Sequence, residues 1–147
     1  MTSLLILNGP NLNLLGTRQP DIYGKTTLAE IEQSCLEKAK EKGCGISFLQ
    51  SNHEGVLVDT IQGARGVQDG IILNAGAYTH TSVAIMDAIS SAGVPVIELH
   101  LSNIHAREPF RKHSYISPVA IGLICGFGPK GYNLAIDAML SYLERAT

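Results

Sequence analysis

Short apolar runs alternate along this chain with longer stretches in which apolar residues recur every three or four positions. Leu4-Leu5-Ile6-Leu7 is apolar without a break, the pattern of a strand covered on both faces. Ile46 to Leu49, Gly70 to Leu73, Val96 to Leu101 and Ile121 to Cys125 repeat it. Thr27 and Glu30 have the spacing of a capping box. Leu28, Ile31, Cys35 and Ala39 then share one face of the helix that follows, and Gly43 is placed to close it. Further helices are predicted from Val56 to Ala64, from Ser82 to Ala92 and from Asn133 to Arg145. Strand and helix in alternation predict an α/β fold: a parallel sheet with helices on both faces. Five strands in this length suit the flavodoxin-like order 2-1-3-4-5, in a single domain spanning 1–147.

One segment breaks the rhythm. Gly9 to Lys25 is longer than the ~12–15 residues at which an internal loop is usually functional. It holds Asn11, Asn13, Arg18 and Tyr23, with Gly16 and Gly24 as hinges, and reads as a lid around 11–25.

Composition narrows the function classes. With 45% hydrophobic residues and a formal charge of −2, the chain is neither disordered nor basic enough to neutralise a phosphate backbone, so no nucleic acid is expected. Lys38, Lys40 and Lys42 cluster, but Glu37 and Glu41 sit among them as on a solvated helix face. No apolar run approaches the ~20 residues of a membrane span. Cys35, Cys44 and Cys125 form neither a C-x-x-C pair nor a zinc spacing, which suits a reducing compartment and a cytoplasmic location.

In open α/β sheets ligands bind beyond the carboxyl ends of the strands, and there the polar residues gather. The first strand runs into Asn8 and Asn11, and the third into Asn74, Tyr78, Thr79 and His80. The fourth carries Glu98 and His100, then Ser102, with Arg107 and Arg111 in the loop beyond. Amides, imidazoles and guanidiniums without an acidic cluster suit a small, polar, anionic substrate rather than a metal. Glu98 and His100 alternate and so point to one face, as a carboxylate orienting a general acid or as a structural pair. Asn8 and Asn74 are ligands or turn caps. Arg111 beside Lys112 is a ligand or a solvated pair, and His105 and His113 read as surface residues. Gly126-Phe127-Gly128-Pro129-Lys130-Gly131 matches G-x-G-x-x-G. It lacks the following βαβ unit and acidic residue of a dinucleotide site, and reads as a tight strand-to-helix turn.

These residues identify a family resemblance. Leu7-Asn8-Gly9-Pro10-Asn11-Leu12-Asn13-Leu14-Leu15-Gly16, with Arg18 and Tyr23-Gly24 downstream, resembles the opening of type II 3-dehydroquinate dehydratases. Gln50 to Gly55, Asn74 to Ser82, Glu98 to Asn103, Arg107 to Arg111 and Gly126 to Tyr132 extend it over the whole chain. The resemblance implies dehydration of 3-dehydroquinate through an enolate, no cofactor and no metal, and a homododecamer built from trimers. It implies Tyr23 as base, His100 as acid, Arg18 as the group that stabilises charge beside Tyr23, Asn11 as holder of a water against the enolate oxygen, and Glu98 as the group that orients His100. Asn74, Leu101 and Ser102 would hold the substrate carboxylate; His80, Asp87 and Arg111 would hold ring hydroxyls, with Asp87 serving a neighbouring subunit. Two other readings stay open on the residues alone: a non-catalytic flavodoxin-like module for a nucleotide or flavin, and a Schiff-base dehydratase. For the latter, the six lysines all fall in loops or on a charged helix face.

Overall fold

A computed structural model describes residues 1–17, 21 and 24–146. Five parallel strands form one sheet in the order β2-β1-β3-β4-β5: β1 (Ser3–Asn8), β2 (Gly45–Gln50), β3 (Gly70–Asn74), β4 (Val96–His100) and β5 (Gly122–Cys125). The helices are α1 (Leu28–Lys42), α2 (Glu54–Gly63), α3 (Val83–Ala92) and α4 (Lys130–Ala146). The expected flavodoxin-like order is therefore the observed one.

Period-two alternation divides the core into two layers. Leu4, Ile6, Ile72 and Leu99 face α1 and α4; Leu5, Leu7, Ile71 and Leu73 face α2 and α3. All eight side chains are buried, which is why the central strands read as unbroken apolar runs. The edge strands differ. β2 is only half-covered and β5 more exposed than the apolar sequence suggests, with Leu123 39% exposed, because the sheet ends there.

Local signals set most boundaries. Thr27 caps α1, its hydroxyl oxygen accepting from the Glu30 N–H at 3.2 Å, and Gly43 closes the helix in the left-handed region at φ 71°. Ser82 is the cap of α3 rather than its first residue, accepting from the Ile85 N–H at 3.0 Å. Helix α2 begins at Glu54, two residues ahead of the expected Val56, with extended His53 at the N-cap position and no side-chain capping bond. Helix α4 starts at Lys130 rather than Asn133. Gly126 (φ 94°) and Gly128 (φ 60°) turn the chain in left-handed conformations straight into it, as the tight-turn reading of this motif expects.

The lysine face of α1 is not wholly solvated. Lys38 packs against α4, half-buried and 3.0 Å from the Asp137 carboxylate, while Lys42 is 3.9 Å from the same group. Asp137 is distant in sequence, so helical spacing within α1 could not reveal it. No described helix is long and apolar enough to cross a membrane.

Candidate active site

The carboxyl edge is built from residues held in register. Asn8 of β1 lies opposite Gln50 of β2 and Asn74 of β3, so three amide side chains stand side by side where the sheet ends. The loops leaving β1 and β3 touch: a Cβ on Gly9 would lie 2.4 Å from the Ala75 carbonyl oxygen, and the Gly9 N–H donates to the Asn74 carbonyl at 2.7 Å. Only glycine allows that approach. Asn11 follows in the left-handed region at φ 69°, its N–H donating to the Asn52 side-chain oxygen at 3.0 Å.

A cleft of ≈ 70 Å³ opens at this edge. Asn11, Asn74 and His80 line one part of it, and His100, Leu101, Ser102, Arg107 and Arg111 the rest. A cavity of ≈ 490 Å³ lies at the amino ends of the strands, against Thr2, Asp69 and the paired Lys42 and Asp137. The smaller cleft is the candidate, because convergent polar groups rather than size mark a site.

Glu98 and His100 do share a face of β4. The His100 Nε2 lies 2.7 Å from Glu98 Oε2, and Glu98 is wholly buried. Ser114 donates its hydroxyl to the same oxygen at 2.8 Å, and Ser117 donates to the other. Burial pushes the Glu98 carboxyl up, but the hydrogen bonds from His100, Ser117 and Ser114 and the histidine's charge outweigh it, so the net shift is downward. An ionised carboxylate can only accept. The His100 Nε2 therefore carries its hydrogen, and Nδ1 is the nitrogen left to serve the cleft.

His80 has the opposite tautomer. Its Nδ1 sits 2.7 Å from the His113 carbonyl oxygen, an obligate acceptor, which leaves Nε2 with the lone pair. Burial lowers its pKa, with the neighbouring His100 and Arg111 adding to the effect against the His113 carbonyl and Glu98. The His80 and His100 rings stack with centroids 6.4 Å apart. Arg111 is aimed by Glu108, whose carboxylate accepts from Nε at 2.7 Å, and Arg107 donates to the Ser102 hydroxyl at 3.3 Å.

The expected residues thus sort into three groups. Asn11, Asn74, His80, His100, Leu101, Ser102 and Arg111 meet in one cleft, with Glu98 directly behind His100. Asp87 does not line it, but stands exposed on α3. Arg18 and Tyr23 lie outside the described residues. His105 and His113 are surface residues as expected.

Arg107, which the sequence puts with Arg111 at this polar edge, lines the cleft as well. Sequence reasoning missed three contributors. Ser114 and Ser117 reach Glu98 across sequence separations of 16 and 19, and only their being hydroxyls in a loop could have pointed to them. Tyr132 binds both strand-end asparagines: its hydroxyl donates to Asn8 Oδ1 at 2.6 Å and accepts from Asn74 Nδ2 at 3.0 Å. Its only mark is its position after the last glycine of the G-x-G-x-x-G run.

A carboxylate-backed imidazole, two guanidiniums and amide donors at the edge of an open parallel sheet define a small α/β acid–base enzyme for a polar, anionic substrate. Comparison with known proteins makes this specific. The model of the dehydroquinase class II family matches residues 2–140, and the chain belongs to that family. It is 62% identical over 144 residues to the 3-dehydroquinate dehydratase of Ruegeria pomeroyi, covering 98% of this chain and 97% of the relative. It is 57% identical over 145 residues to catabolic 3-dehydroquinase 1 of Neosartorya fischeri, covering 98% and 97%. The crystal structure of the type II dehydroquinase from Butyrivibrio crossotus superposes with a TM-score of 0.93 at 45% identity, covering 95% of this chain and 97% of that one.

Proposed function

We propose that this cleft dehydrates 3-dehydroquinate to 3-dehydroshikimate by anti elimination through an enolate, a step of the shikimate pathway toward chorismate and the aromatic amino acids. The observation that carries the proposal is the buried Glu98–His100 pair at 2.7 Å, opening onto a cleft lined by guanidiniums and amides. In this reading His100 protonates the departing C1 hydroxyl, and Glu98 orients it and supports the charged imidazole. Asn74, Leu101 and Ser102 hold the substrate carboxylate, and His80 and Arg111 hold ring hydroxyls. A His80 Nε2 lone pair is suited to accept from such a hydroxyl.

Tyr23 takes the C2 proton, which the adjacent ketone acidifies. A tyrosine of ordinary pKa ~10 is ionised about one part in a thousand at neutral pH, a handicap of ~4 kcal/mol. A guanidinium within ~4–6 Å favours the phenolate and recovers ~1–3 units of that, which is the role assigned to Arg18. A lid over residues 11–25 that carries both would assemble the base and exclude water in one movement. Asn11 holds a water against the enolate oxygen. Asp87, exposed on α3, serves a neighbouring subunit's cleft in a homododecamer built from trimers.

None of the described residues lining the cleft is a lysine, which favours the enolate over a Schiff-base route. The test is direct: added 3-dehydroquinate should yield the ultraviolet absorbance of a conjugated enone. No growth of that band with pure, folded protein refutes the proposal. Borohydride added during turnover should leave the mass of the protein unchanged.

A further inference from the structure

The Gly126 to Gly131 turn takes no part in the chemistry above, yet it delivers Tyr132 to the underside of the cleft. A Cβ on Gly131 would lie 2.9 Å from the buried Leu99 side chain, so glycine there lets the first turn of α4 press against β4. Tyr132 is consequently buried at 1% exposure, on the same face of the sheet as Ile6 and Ile72. Its ring packs among apolar residues, and its hydroxyl is hydrogen-bonded to both Asn8 and Asn74.

The direction of every hydrogen bond in this cluster is fixed by its ends. The Leu49 carbonyl can only accept, so the group facing it at 3.1 Å is the Asn8 NH2. That turns Asn8 Oδ1 toward Tyr132, which gives it its single hydroxyl hydrogen at 2.6 Å. With that hydrogen committed, the Tyr132 oxygen can only accept from Asn74, at 3.0 Å. At the far end the Gly76 N–H can only donate, at 3.3 Å, and it meets Asn74 Oδ1. Both ends agree on one orientation of the Asn74 amide. Its oxygen is turned away, one N–H is held by Tyr132, and the second N–H remains for the cleft that Asn74 lines. A flipped amide would set a nitrogen against the Gly76 N–H and an oxygen against a hydroxyl with no hydrogen to give.

We infer that Tyr132 is a positioning residue: by accepting from Asn74 while donating to Asn8, it fixes the Asn74 amide as a hydrogen-bond donor toward the anionic group of the substrate. This rests on the reading that Asn74 holds the substrate carboxylate. The interaction is made equally in ground state and transition state, so its loss falls on binding rather than on turnover.

The experiment is a double-mutant cycle of Tyr132→Phe with Asn74→Ala. It is read by KM for 3-dehydroquinate, by kcat, by calorimetric Kd for 3-dehydroshikimate, and by thermal melting. Tyr132→Phe should raise KM and Kd about tenfold, the size of one hydrogen bond to a charged group, while kcat stays within about threefold. In the Asn74→Ala background the same change should move Kd less than about twofold, because the group through which Tyr132 acts is gone. Asn8→Ala tests the cluster without touching the aromatic packing of α4, and should show a milder rise in Kd that again vanishes with Asn74→Ala. A folded Tyr132→Phe with unchanged Kd, or penalties that multiply in the double variant, overturns the inference. A wild-type protein that neither turns over substrate nor binds product instead overturns the activity on which it rests.

Discussion

Replacing Glu98 by Gln keeps the shape of a buried side chain and removes its charge. The carboxylate accepts from His100 Nε2 at 2.7 Å, from Ser114 at 2.8 Å and from Ser117. A glutamine can keep all three contacts only if its oxygen takes the side shared by His100 and Ser114 and its NH2 faces Ser117, whose hydroxyl can rotate to accept. Packing is then retained, and what is lost is the charge assistance behind His100. Charge-assisted hydrogen bonds exceed neutral ones by ~1–2 kcal/mol. That difference counts most when the imidazole is charged, so the barrier should rise by about 2 kcal/mol and kcat fall about 30-fold. KM should move little, since Glu98 does not line the cleft. Thermal melting adds a second readout. The carboxyl pKa is lowered in the folded state, so its stabilisation is present above the unfolded value of ~4.3 and is lost as pH falls through the folded value. The variant lacks this term: its melting temperature should lie below wild type by a few degrees at neutral pH, with the gap narrowing in acid. Steady-state kinetics at pH 7 and melts from pH 7 down to about 3 test both parts. A folded variant with kcat within twofold of wild type would refute the assignment of charge support to Glu98.

Tyr23→Phe should leave the fold intact and reduce turnover by ~10²–10⁴-fold, and retention of more than about a tenth of the activity would place the base elsewhere. Arg18→Lys should also be poor, because a compact ammonium cannot replace a planar guanidinium's directed contacts. Tyr23→Phe and Asp87→Ala subunits, unfolded together and reassembled, should regain activity through mixed sites, and a co-assembled mixture as inactive as its parents excludes a shared site. Gly9→Ala sets a Cβ 2.4 Å from a backbone oxygen and should cost about 1–3 kcal/mol in chemical denaturation, whereas Gly55→Ala, with open space at that position, should cost far less.

The sheet was legible because its central strands are covered on both faces and so are apolar almost throughout, Glu98 in β4 being the exception that marks the site. The same rule misleads at β5, where an edge strand keeps an apolar sequence without helices covering both sides. Glu98 and His100 were legible because a strand places residues two apart on one face. Asn8 and Asn74 were not, since a buried ligand and a turn cap look alike until Tyr132 appears, at separations of 124 and 58 residues. Ser114, Ser117 and the Lys38–Asp137 pair were hidden for the same reason: each is defined by a partner on another element.

That long-range asparagine cluster also ties the cleft to the seating of α4. Asn8 and Asn74 become neighbours when β1 and β3 pair, but Asn8 Oδ1 and one Asn74 N–H find their partner only when α4 brings Tyr132 against the sheet. Without α4 each amide keeps its other bond, Asn8 to the Leu49 carbonyl and Asn74 from the Gly76 N–H, but the atoms turned toward Tyr132 have only water to meet. Docking of α4 therefore completes the polar floor beneath the cleft and the core of that face together. During refolding, product binding should then return together with the burial of Tyr132 and not before it.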